Sequence, residues 1–372
     1  MKKNLIVSFF IFLFSCFMFA HDPHNHERAI SFPNIPGYIT LKCDLHQHTV
    51  FSDGDVWPTI RVEEALKDGL DAISLTEHLE YQPHKNDIPH PDRNRAYKLA
   101  LDAAKDTNLI VINGSEITRK MPPGHSNAIF LTDANKMLIQ DSVEVFREAK
   151  RQGAFTFWNH PNWLGQSSTG VATLTDLHKL LLKEKLLDGI EVVNDVTYSD
   201  EALQIALDYN LTIMGTSDIH GLIDWQYDVP NGGHRPITLV FAKERTAESL
   251  KEGLFAKRTV VYYNNLLIGR NEFLIPLIQQ SLSVEKSSYY KKTSVLTVKI
   301  KNSSDMDYIL ENKSEYSFHN NADIITVKAN SVTSIEVKVL HHLSFVKIKF
   351  NVLNAVNAPK THPEIVLDIV VK

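Results

Sequence analysis

The first two thirds of the chain alternate between short apolar runs and amphipathic stretches. Apolar residues recur every three or four positions in the amphipathic stretches between about residues 38 and 262. This alternation is typical of an α/β domain built from repeated βα units, with strands buried in a parallel sheet. The predicted strands are 38–45, 71–76, 109–114, 126–131, 154–158, 188–193, 211–216 and 237–242. The predicted helices include 61–68, 95–104, 143–150 and 201–208, each with a Gly or Asn within four residues after its end, as helix C-termini favour.

From about residue 290 the pattern changes to short strands of alternating apolar and polar positions without helical periodicity. The strands predicted there are 294–300, 324–328, 334–339, 344–350 and 365–370. Such short alternating strands are typical of a small antiparallel β-sandwich. We therefore predict a barrel-like α/β domain over 38–275 and a β-sandwich domain over 290–372.

The N-terminus has the pattern of an export signal. Two lysines precede the mostly apolar stretch Leu5–Phe19, which is shorter than the roughly 20 residues that a membrane span needs. We predict a signal peptide over 1–20, cleaved after Ala20, and a periplasmic or extracellular protein. Lipid anchoring through Cys16 is the alternative, although the bulky apolar residues after it disfavour lipidation. Cleavage would leave Cys43 as the single cysteine, so no internal disulfide is expected.

Composition narrows the class of protein. The chain has 372 residues, of which 43% are hydrophobic, enough for one large and one small domain. Its formal net charge of −5 disfavours stable nucleic-acid binding. The pattern contains no second candidate membrane segment, and it leaves the oligomeric state open.

Residues that bind metals follow five of the predicted strands. Because alternate residues of a strand project to one face, the side chains of His46 and His48 can bind one metal ion together, and so can those of Asp218 and His220. The carboxyl ends of parallel strands meet at one end of such a domain, so these residues are expected to converge. Histidines mixed with carboxylates suit two or three Zn, Mn or Fe ions, whereas a structural zinc site would favour cysteines. The segments are Asp44–His48, Thr76–His78, Gly114–Glu116, Asn159–Pro161 and Ser217–His220.

These segments, together with Phe51–Gly54, resemble in their order the motifs of the PHP superfamily, named for polymerase and histidinol phosphatase. The resemblance covers residues 38–262 and includes Asp-Leu-His-Gln-His-Thr at 44–49 and Gly-Thr-Ser-Asp-Ile-His at 215–220. It implies a distorted (β/α)7 TIM-like barrel with up to three divalent metal ions at its C-terminal mouth. It also implies hydrolysis of phosphate monoesters or diesters. The chain is similar, in particular, to a secreted bacterial subgroup of metal-dependent phosphoesterases.

The resemblance also implies a set of metal ligands. Glu116 would bridge two ions, and His125 is the only candidate in its segment for the ion that His160 binds. Asp53 stands where some members of the superfamily have His. The implied ligands are His46, His48, Asp53, His78, Glu116, His125, His160, Asp218 and His220.

Three further residues are candidates for a role in catalysis. Arg119 and Arg235 are expected in loops at the mouth, where a guanidinium binds phosphate through two hydrogen bonds. Asp44 lies two residues before His46 on the same strand face and is a candidate to orient an imidazole. The alternative for Asp44 is a buried carboxylate satisfied by backbone amides.

The leading hypothesis is a secreted metal-dependent phosphoesterase that acts on a small phosphorylated substrate. Two or three cations would polarise phosphoryl oxygens and activate water near neutral pH without a protein nucleophile. A metallohydrolase of a carbon ester, lactone or amide is the first alternative, because the same centre can act on a carbonyl. A non-catalytic metal-dependent binding protein is the second.

Overall fold

The computed structural model describes residues 28–371. The predicted signal peptide and Cys16 lie outside the described residues. Within the described part, no helix combines the length and the apolar character that crossing a membrane requires.

The first part of the described chain alternates strands and helices, as predicted. Its elements are β1 (Ile39–Gln47), α1 (Pro58–Lys67), β2 (Ala72–Leu75), α2 (Arg95–Ala104), β3 (Ile110–Thr118), β4 (His125–Ile129), α3 (Glu144–Arg151), β5 (Phe155–Trp158), α4 (Asp176–Lys183), β6 (Gly189–Asn194), β7 (Thr197–Tyr198), α5 (Asp200–Asp208), β8 (Thr212–Thr216), α6 (Ile223–Gln226), β9 (Ile237–Ala242), α7 (Ala247–Phe255), β10 (Thr259–Tyr263), β11 (Leu266–Gly269) and α8 (Asn271–Ser281). Two 3₁₀ turns cover Ala134–Met137 and Val229–Asn231.

The second part contains strands only. These are β12 (Leu282–Tyr289), β13 (Val295–Asn302), β14 (Tyr308–Asn312), β15 (Ile324–Val327), β16 (Val332–Lys338), β17 (Phe345–Val352), β18 (Ala355–Val356) and β19 (Glu364–Val370).

A curled sheet of 12 strands carries the α/β part, with the order β18-β11-β10-β9-β1-β2-β3-β4-β5-β6-β7 and β8 paired to β6. β1, β2 and β3 run parallel, as do β5, β6 and β8, whereas β4 and β9 are antiparallel to their neighbours. β4 reverses because only six residues separate it from β3, too few for a parallel crossover. The sheet curls far enough that Gln47, at the end of β1, bridges Ile219 beyond the end of β8. The predicted α/β class is confirmed, and the count of seven βα units stays a prediction.

The C-terminal strands form two antiparallel sheets, one of three strands (β12-β13-β16) and one of four (β15-β14-β17-β19). The predicted antiparallel character is confirmed, and β13, β15, β16, β17 and β19 lie close to their predicted positions. The sequence pattern missed β12 and β14. β12 reads Leu-Ser-Val-Glu-Lys-Ser-Ser-Tyr and carries a bulge between Val284 and Lys286, which breaks the alternation of apolar and polar positions.

The α/β part and the C-terminal sheets share a hydrophobic core. One cluster of buried residues contains Leu239 and Tyr262 from the large sheet together with Leu296 and Phe350 from the C-terminal strands. In addition, β18 returns to pair in parallel with β11. α8 crosses position 275, where we placed the end of the first domain, and leads directly into β12.

A single cysteine lies in the described part of the chain. Cys43 is in β1, has no exposed surface and forms no disulfide. Burial, with Asp71 and Asp44 nearby, raises the pKa of its thiol well above the ordinary value.

Candidate metal centre

The Nε2 atoms of two histidines at the end of β1 lie close to a single carboxylate oxygen. Nε2 of His46 and Nε2 of His48 are 3.0 Å apart, and they lie 3.0 and 3.1 Å from Oδ1 of Asp218. The two oxygens of Glu116 lie 3.7 Å from His46 Nε2 and 3.6 Å from His48 Nε2. β1, β3 and the turn after β8 therefore bring four predicted ligands together.

A second group of ligand atoms surrounds Asp53, in the loop after β1. Its carboxylate lies 3.4 Å from His78 Nε2, 3.2 Å from His220 Nε2 and 3.8 Å from His48 Nδ1. One ligand atom from each of these four residues falls within 4.8 Å of the others. This is the size of a single metal site.

A third group is centred on Glu116. His125 Nδ1 lies 3.1 Å and His160 Nε2 lies 3.4 Å from Oε1 of Glu116, and His78 contacts Oε2. The structure thus brings all the predicted ligands into one connected cluster in which Glu116 and His48 each belong to more than one group. A carboxylate shared in this way suits a bridge between two cations.

Two predicted ligands have backbone conformations that are unusual outside glycine. His160 has φ 30° and Asp218 has φ 51°. Residues other than glycine are strained when their backbone adopts the left-handed region, and such strain persists where the surrounding structure enforces it. Each residue lies two positions beyond the end of its strand, and from this turn its side chain contacts the other ligands.

The donor set fits divalent cations. Oε2 of Glu116 and Oδ1 of Asp53 are buried and accept no hydrogen bond of good geometry, although an imidazole lies beside each, and a bound cation would compensate their charge. Imidazole nitrogens and carboxylate oxygens are the ligands that Zn, Mn and Fe share.

A solved structure of similar architecture comes from Bacteroides vulgatus. It is a two-domain protein containing a predicted PHP-like metal-dependent phosphoesterase, and it matches with a TM-score of 0.86 and 41% sequence identity. The similarity covers 92% of this chain and 98% of that one. The chain belongs to the PHP-like metal-dependent phosphoesterase family. The predicted resemblance to the PHP superfamily is confirmed, and membership of its secreted subgroup stays a prediction.

Other comparisons cover parts of the PHP-like chain. A candidate metal-dependent phosphoesterase from Bifidobacterium adolescentis matches 48% of this chain and 88% of its own with 19% identity and a TM-score of 0.38. An amidohydrolase from Chromobacterium violaceum matches 48% of this chain and 87% of its own with 16% identity and a TM-score of 0.35. The DUF5001 family, an Ig-like domain, matches residues 282–368. The comparison with curated proteins found no match.

Charge at the PHP-like site is distributed between neutral and ionised ligands. Burial and the neighbouring His78 lower the pKa of His48 to about 3, which leaves its ring neutral and free to bind a cation. Burial opposes ionisation of Glu116 and Asp218, but the surrounding histidines hold the pKa of both carboxyls well below the usual range. Burial also disfavours the charged form of His78, yet Glu116 and Asp53 raise its pKa to about 11.

Each of three histidine ligands has its Nδ1 engaged by a polar partner, so that Nε2 faces the cluster. Glu191 Oε1 lies 2.8 Å from His46 Nδ1, and Gln166 Nε2 lies 2.7 Å from His160 Nδ1. The Nδ1 of His220 lies 2.7 Å from the backbone carbonyl oxygen of Asp218. A ligating imidazole is oriented in this way by the partner of its other nitrogen.

Glu191 is a buried carboxylate beside the ligands that sequence analysis missed. It lies inside β6, is 1% exposed, and accepts hydrogen bonds from the backbone N–H of His160, from Asn194 and from Thr216 as well as facing His46. It therefore links the ligands of β1 and of the turn after β5. The only signal in the sequence was a charged residue in an apolar strand run, Gly-Ile-Glu-Val-Val.

A further buried carboxylate, Glu77, lies beneath the loop that follows β1. It accepts hydrogen bonds from the hydroxyl and backbone N–H of Thr49 and from the hydroxyl of Ser52, which lies 3.2 Å from His48 Nδ1. Burial nevertheless raises the pKa of Glu77 to about 7. The segment Thr76–His78 therefore contains the predicted ligand His78 and, next to it, Glu77, which holds the loop after β1 in place.

The structure contradicts the role predicted for Arg235. Its guanidinium is 1% exposed and pairs with Asp44 at 3.1 Å and with Asp68 at 2.6 Å. A phosphate outside cannot reach it. Burial lowers the pKa of Arg235, but the two carboxylates raise it above its ordinary value, so the side chain stays a buried cation.

The other two predicted catalytic residues do not line the cleft over the ligands either. Arg119 pairs with Glu80 at 2.9 Å, donates to the carbonyl of Ile139 and does not line the cleft over the ligands. Asp44 contacts no imidazole and instead accepts from Gln47, Ser217 and Arg235. Glu191, rather than Asp44, contacts the imidazole of His46. Asp44 is a buried carboxylate, as the alternative predicted, but its partners are mainly side chains rather than backbone amides.

The PHP-like ligands open onto a cleft of about 530 Å³. Among the described residues that line it, none is Lys or Arg. The lining residues are Asp53, His78, Tyr81, Thr118, His125, His160, Trp163, Asn194, Asp195, Asp218, His220 and Gln226.

Proposed function

We propose that this protein hydrolyses small phosphate esters at a centre of two or three divalent cations, Zn, Mn or Fe. The observation that carries the proposal is the convergence of Nε2 of His46, Nε2 of His48 and Oδ1 of Asp218 within 3.1 Å of one another. Groups placed so closely in a buried site repel unless protons or cations lie between them. The match to a PHP-like two-domain protein at 41% identity supports the reaction class.

The cations would supply Lewis acidity and lower the pKa of water. The protein's own contribution is positional. Glu116 is shared between the ligand groups, Glu191 fixes the ring of His46, and the turns at His160 and Asp218 bring their side chains into contact with the other ligands. Preorganised ligands of this kind spend little free energy on rearrangement when substrate binds.

The first experiment measures metal content and turnover together. Protein purified without chelators or a metal-loading tag is analysed by elemental mass spectrometry, then assayed with p-nitrophenyl phosphate and bis-p-nitrophenyl phosphate. We expect at least two metal equivalents, and we expect His48→Ala and Asp218→Ala to lose metal and at least about a hundredfold in kcat/KM. The control, His341→Ala, removes an exposed histidine of the C-terminal sheets. Full turnover without metal would refute the proposal.

A carbonyl substrate is the second candidate, and one observation favours it. The cleft has no Lys or Arg among its described lining residues, although phosphate sites commonly use such side chains. The same preparation is therefore assayed with p-nitrophenyl acetate and a lactone. Metal-dependent turnover of these substrates alone would select the carbonyl reaction.

We also propose that the protein is exported. The apolar stretch at 5–19, flanked by two lysines, supports this proposal. In a cell fractionation experiment, the mature protein is expected outside the cytoplasm with an N-terminus at His21. A lipid-modified Cys16 detected by mass spectrometry would select anchoring instead.

A further inference from the structure

Five of the residues that line the cleft have aromatic rings in a continuous series of contacts. Ring centroids are separated by 5.9 Å between Tyr81 and His78, 5.6 Å between His78 and His125, 5.8 Å between His125 and Trp163, and 5.3 Å between Trp163 and His160. We call these five residues the aromatic arc. Tyr81 and Trp163, at 53% and 51% exposure, are its accessible members.

Trp163 is held in place by its own loop. Its backbone N–H donates to the carbonyl of His160, and its carbonyl accepts from the N–H groups of Gln166 and Ser167. The indole lies so close to Gly165 that a Cβ there would fall 2.4 Å from a ring atom. Glycine at this position permits the ring to lie across the backbone. A large apolar surface fixed beside a reaction centre, and left half-exposed, is typical of a ligand platform.

Another part of the lining offers a hydrogen-bond acceptor. Oδ1 of Asp195 accepts from Gln226 at 2.6 Å and from the hydroxyl of Tyr227 at 3.2 Å. Within residues 28–371 no hydrogen bond reaches its Oδ2. Asp195 is also the one carboxylate of the described lining that is not a predicted metal ligand. Its fixed orientation leaves an acceptor for a hydroxyl group of a ligand.

The charges of the lining restrict the ligand further. With no Lys or Arg among the described lining residues and with Asp195 present, a second anionic group on the substrate would lack a partner. Burying an unpaired charge is strongly unfavourable. The organic part of the substrate is therefore expected to be uncharged.

We propose that the alcohol released by this site is a neutral hydroxylated ring, that is, that the substrate is a sugar phosphate. The less polar face of the ring packs on Trp163 and Tyr81, and a ring hydroxyl donates to Asp195. This inference rests on the phosphoesterase function proposed above.

The first test compares glucose 6-phosphate with glycerol 3-phosphate, both esters of primary alcohols. The ring ester is expected to have at least about a tenfold higher kcat/KM, a difference typical of one good stacking contact. Trp163→Ala removes this preference, mainly by raising KM for glucose 6-phosphate, and leaves glycerol 3-phosphate within about threefold. Trp225→Ala is the matched control, because this indole is 82% exposed and outside the cleft lining.

The second test concerns the hydroxyl contact. Asp195→Asn is expected to lower kcat/KM for glucose 6-phosphate about tenfold and to leave cyclohexylmethyl phosphate, which lacks ring hydroxyls, nearly unchanged. Fructose 1,6-bisphosphate should be a poorer substrate than fructose 6-phosphate. Preference for benzyl phosphate with no effect of Asp195→Asn would overturn the sugar assignment in favour of an aromatic alcohol.

A binding measurement separates this inference from the proposed function. Methyl α-glucoside is titrated into metal-loaded protein while tryptophan fluorescence is recorded. A saturable change in the wild type and in Trp225→Ala, absent in Trp163→Ala, supports the ring site even if no phosphate ester is turned over. Turnover of phosphate esters with equal losses for ring and acyclic substrates in Trp163→Ala would refute the inference and leave the phosphoesterase function intact.

Discussion

At the scale of single residues, the charged groups behind the ligands determine how the ligands are aimed. Glu191 contacts His46 through one oxygen and the backbone of His160 through the other, so one carboxylate orients parts of two ligand segments. Its burial makes these bonds strong, and the loss of either partner costly.

Replacing Glu191 by Gln is expected to weaken metal binding by about ten- to a hundredfold, the range typical for such partners of metal-binding histidines. The amide can still occupy the space but no longer favours a proton on His46 Nδ1. Metal affinity is measured by competition with a chelating dye. Glu248→Gln, on the exposed face of α7, is the control. Unchanged affinity in Glu191→Gln would contradict the orienting role.

The buried position of Arg235 predicts a stability effect. Arg235→Met leaves Asp44 and Asp68 without their shared cation, and we expect the free energy of unfolding to fall by about 3–5 kcal/mol. Urea denaturation measures this loss, with the exposed Arg151→Met as a control that is expected to leave the free energy of unfolding nearly unchanged. A raised KM with unchanged stability would instead restore the phosphate-binding role.

A pH effect is expected at His178, in α4, which faces the carbonyl of Pro123 and stacks on Trp158. Burial lowers its pKa to about 4, so the folded protein holds it neutral while the unfolded chain takes up a proton below about pH 6.5. The stabilisation it provides is therefore present above pH 6.5 and lost as the pH falls towards 4. The difference in unfolding free energy between wild type and His178→Gln should shrink by up to about 3 kcal/mol between pH 7.5 and pH 4. A constant difference would show that His178 does not titrate in this way.

Most of the residues that the structure brings together could be proposed as ligands from the sequence, because histidines and carboxylates at strand ends are recognisable, whereas Asp53 and His125 were implied only by the family resemblance. The partners of charged residues could not be predicted. Arg235 was expected at the mouth because it follows a Gly-Gly loop, but its side chain turns inward to Asp68, which is 167 positions away in the chain. Nothing local in the sequence encodes that pairing.

At the scale of elements, the first turn of α1 connects two ligand segments. The buried guanidinium of Arg61 donates to the carbonyl of His48 at 2.9 Å and to the carbonyls of His220 and Gly221 at 2.8 and 2.7 Å. Glu64, one turn later on α1, balances its charge at 2.8 Å. The loop after β1 and the turn after β8 are therefore held at a fixed separation.

Arg61→Lys retains the charge but lacks the planar fork of donors, and we expect it to lower metal affinity about tenfold. Metal titration by calorimetry measures the change, and Arg95→Lys, an exposed position on α2, is the control. If Arg61→Lys binds metal as tightly as the wild type, the two segments are held by other contacts.

The positions of β1 to β6, β8 and β9 could be predicted, since buried strands and amphipathic helices have distinct periodicities, whereas β7, β10 and β11 were missed. Strand direction at β4 could not be predicted from the same pattern, because it depends on the length of the connection that precedes it. β14 was missed for another reason. It is only five residues long, Tyr-Ile-Leu-Glu-Asn, and its apolar run resembles no alternating strand.

At the scale of the whole molecule, the C-terminal sheets complete the core of the α/β part. Because the two parts share this cluster and β18 pairs with β11, we expect neither part to keep its stability after a cut between them. A single unfolding transition is expected in scanning calorimetry of the intact protein. A chain ending after residue 281 should unfold at least about 10 °C lower, or fail to fold. Two well-separated transitions in the intact protein would contradict this coupling.

The buried thiol of Cys43 can report transient opening of the large sheet. The group sits in the central strand β1, carries no exposed surface and has a raised pKa. An alkylating reagent therefore meets a reactive sulfur only when β1 separates from its neighbours. The rate at which Cys43 is alkylated therefore reports how often the sheet opens at β1. Bound cations should slow this rate, because they would connect the end of β1 to the rest of the ligand cluster.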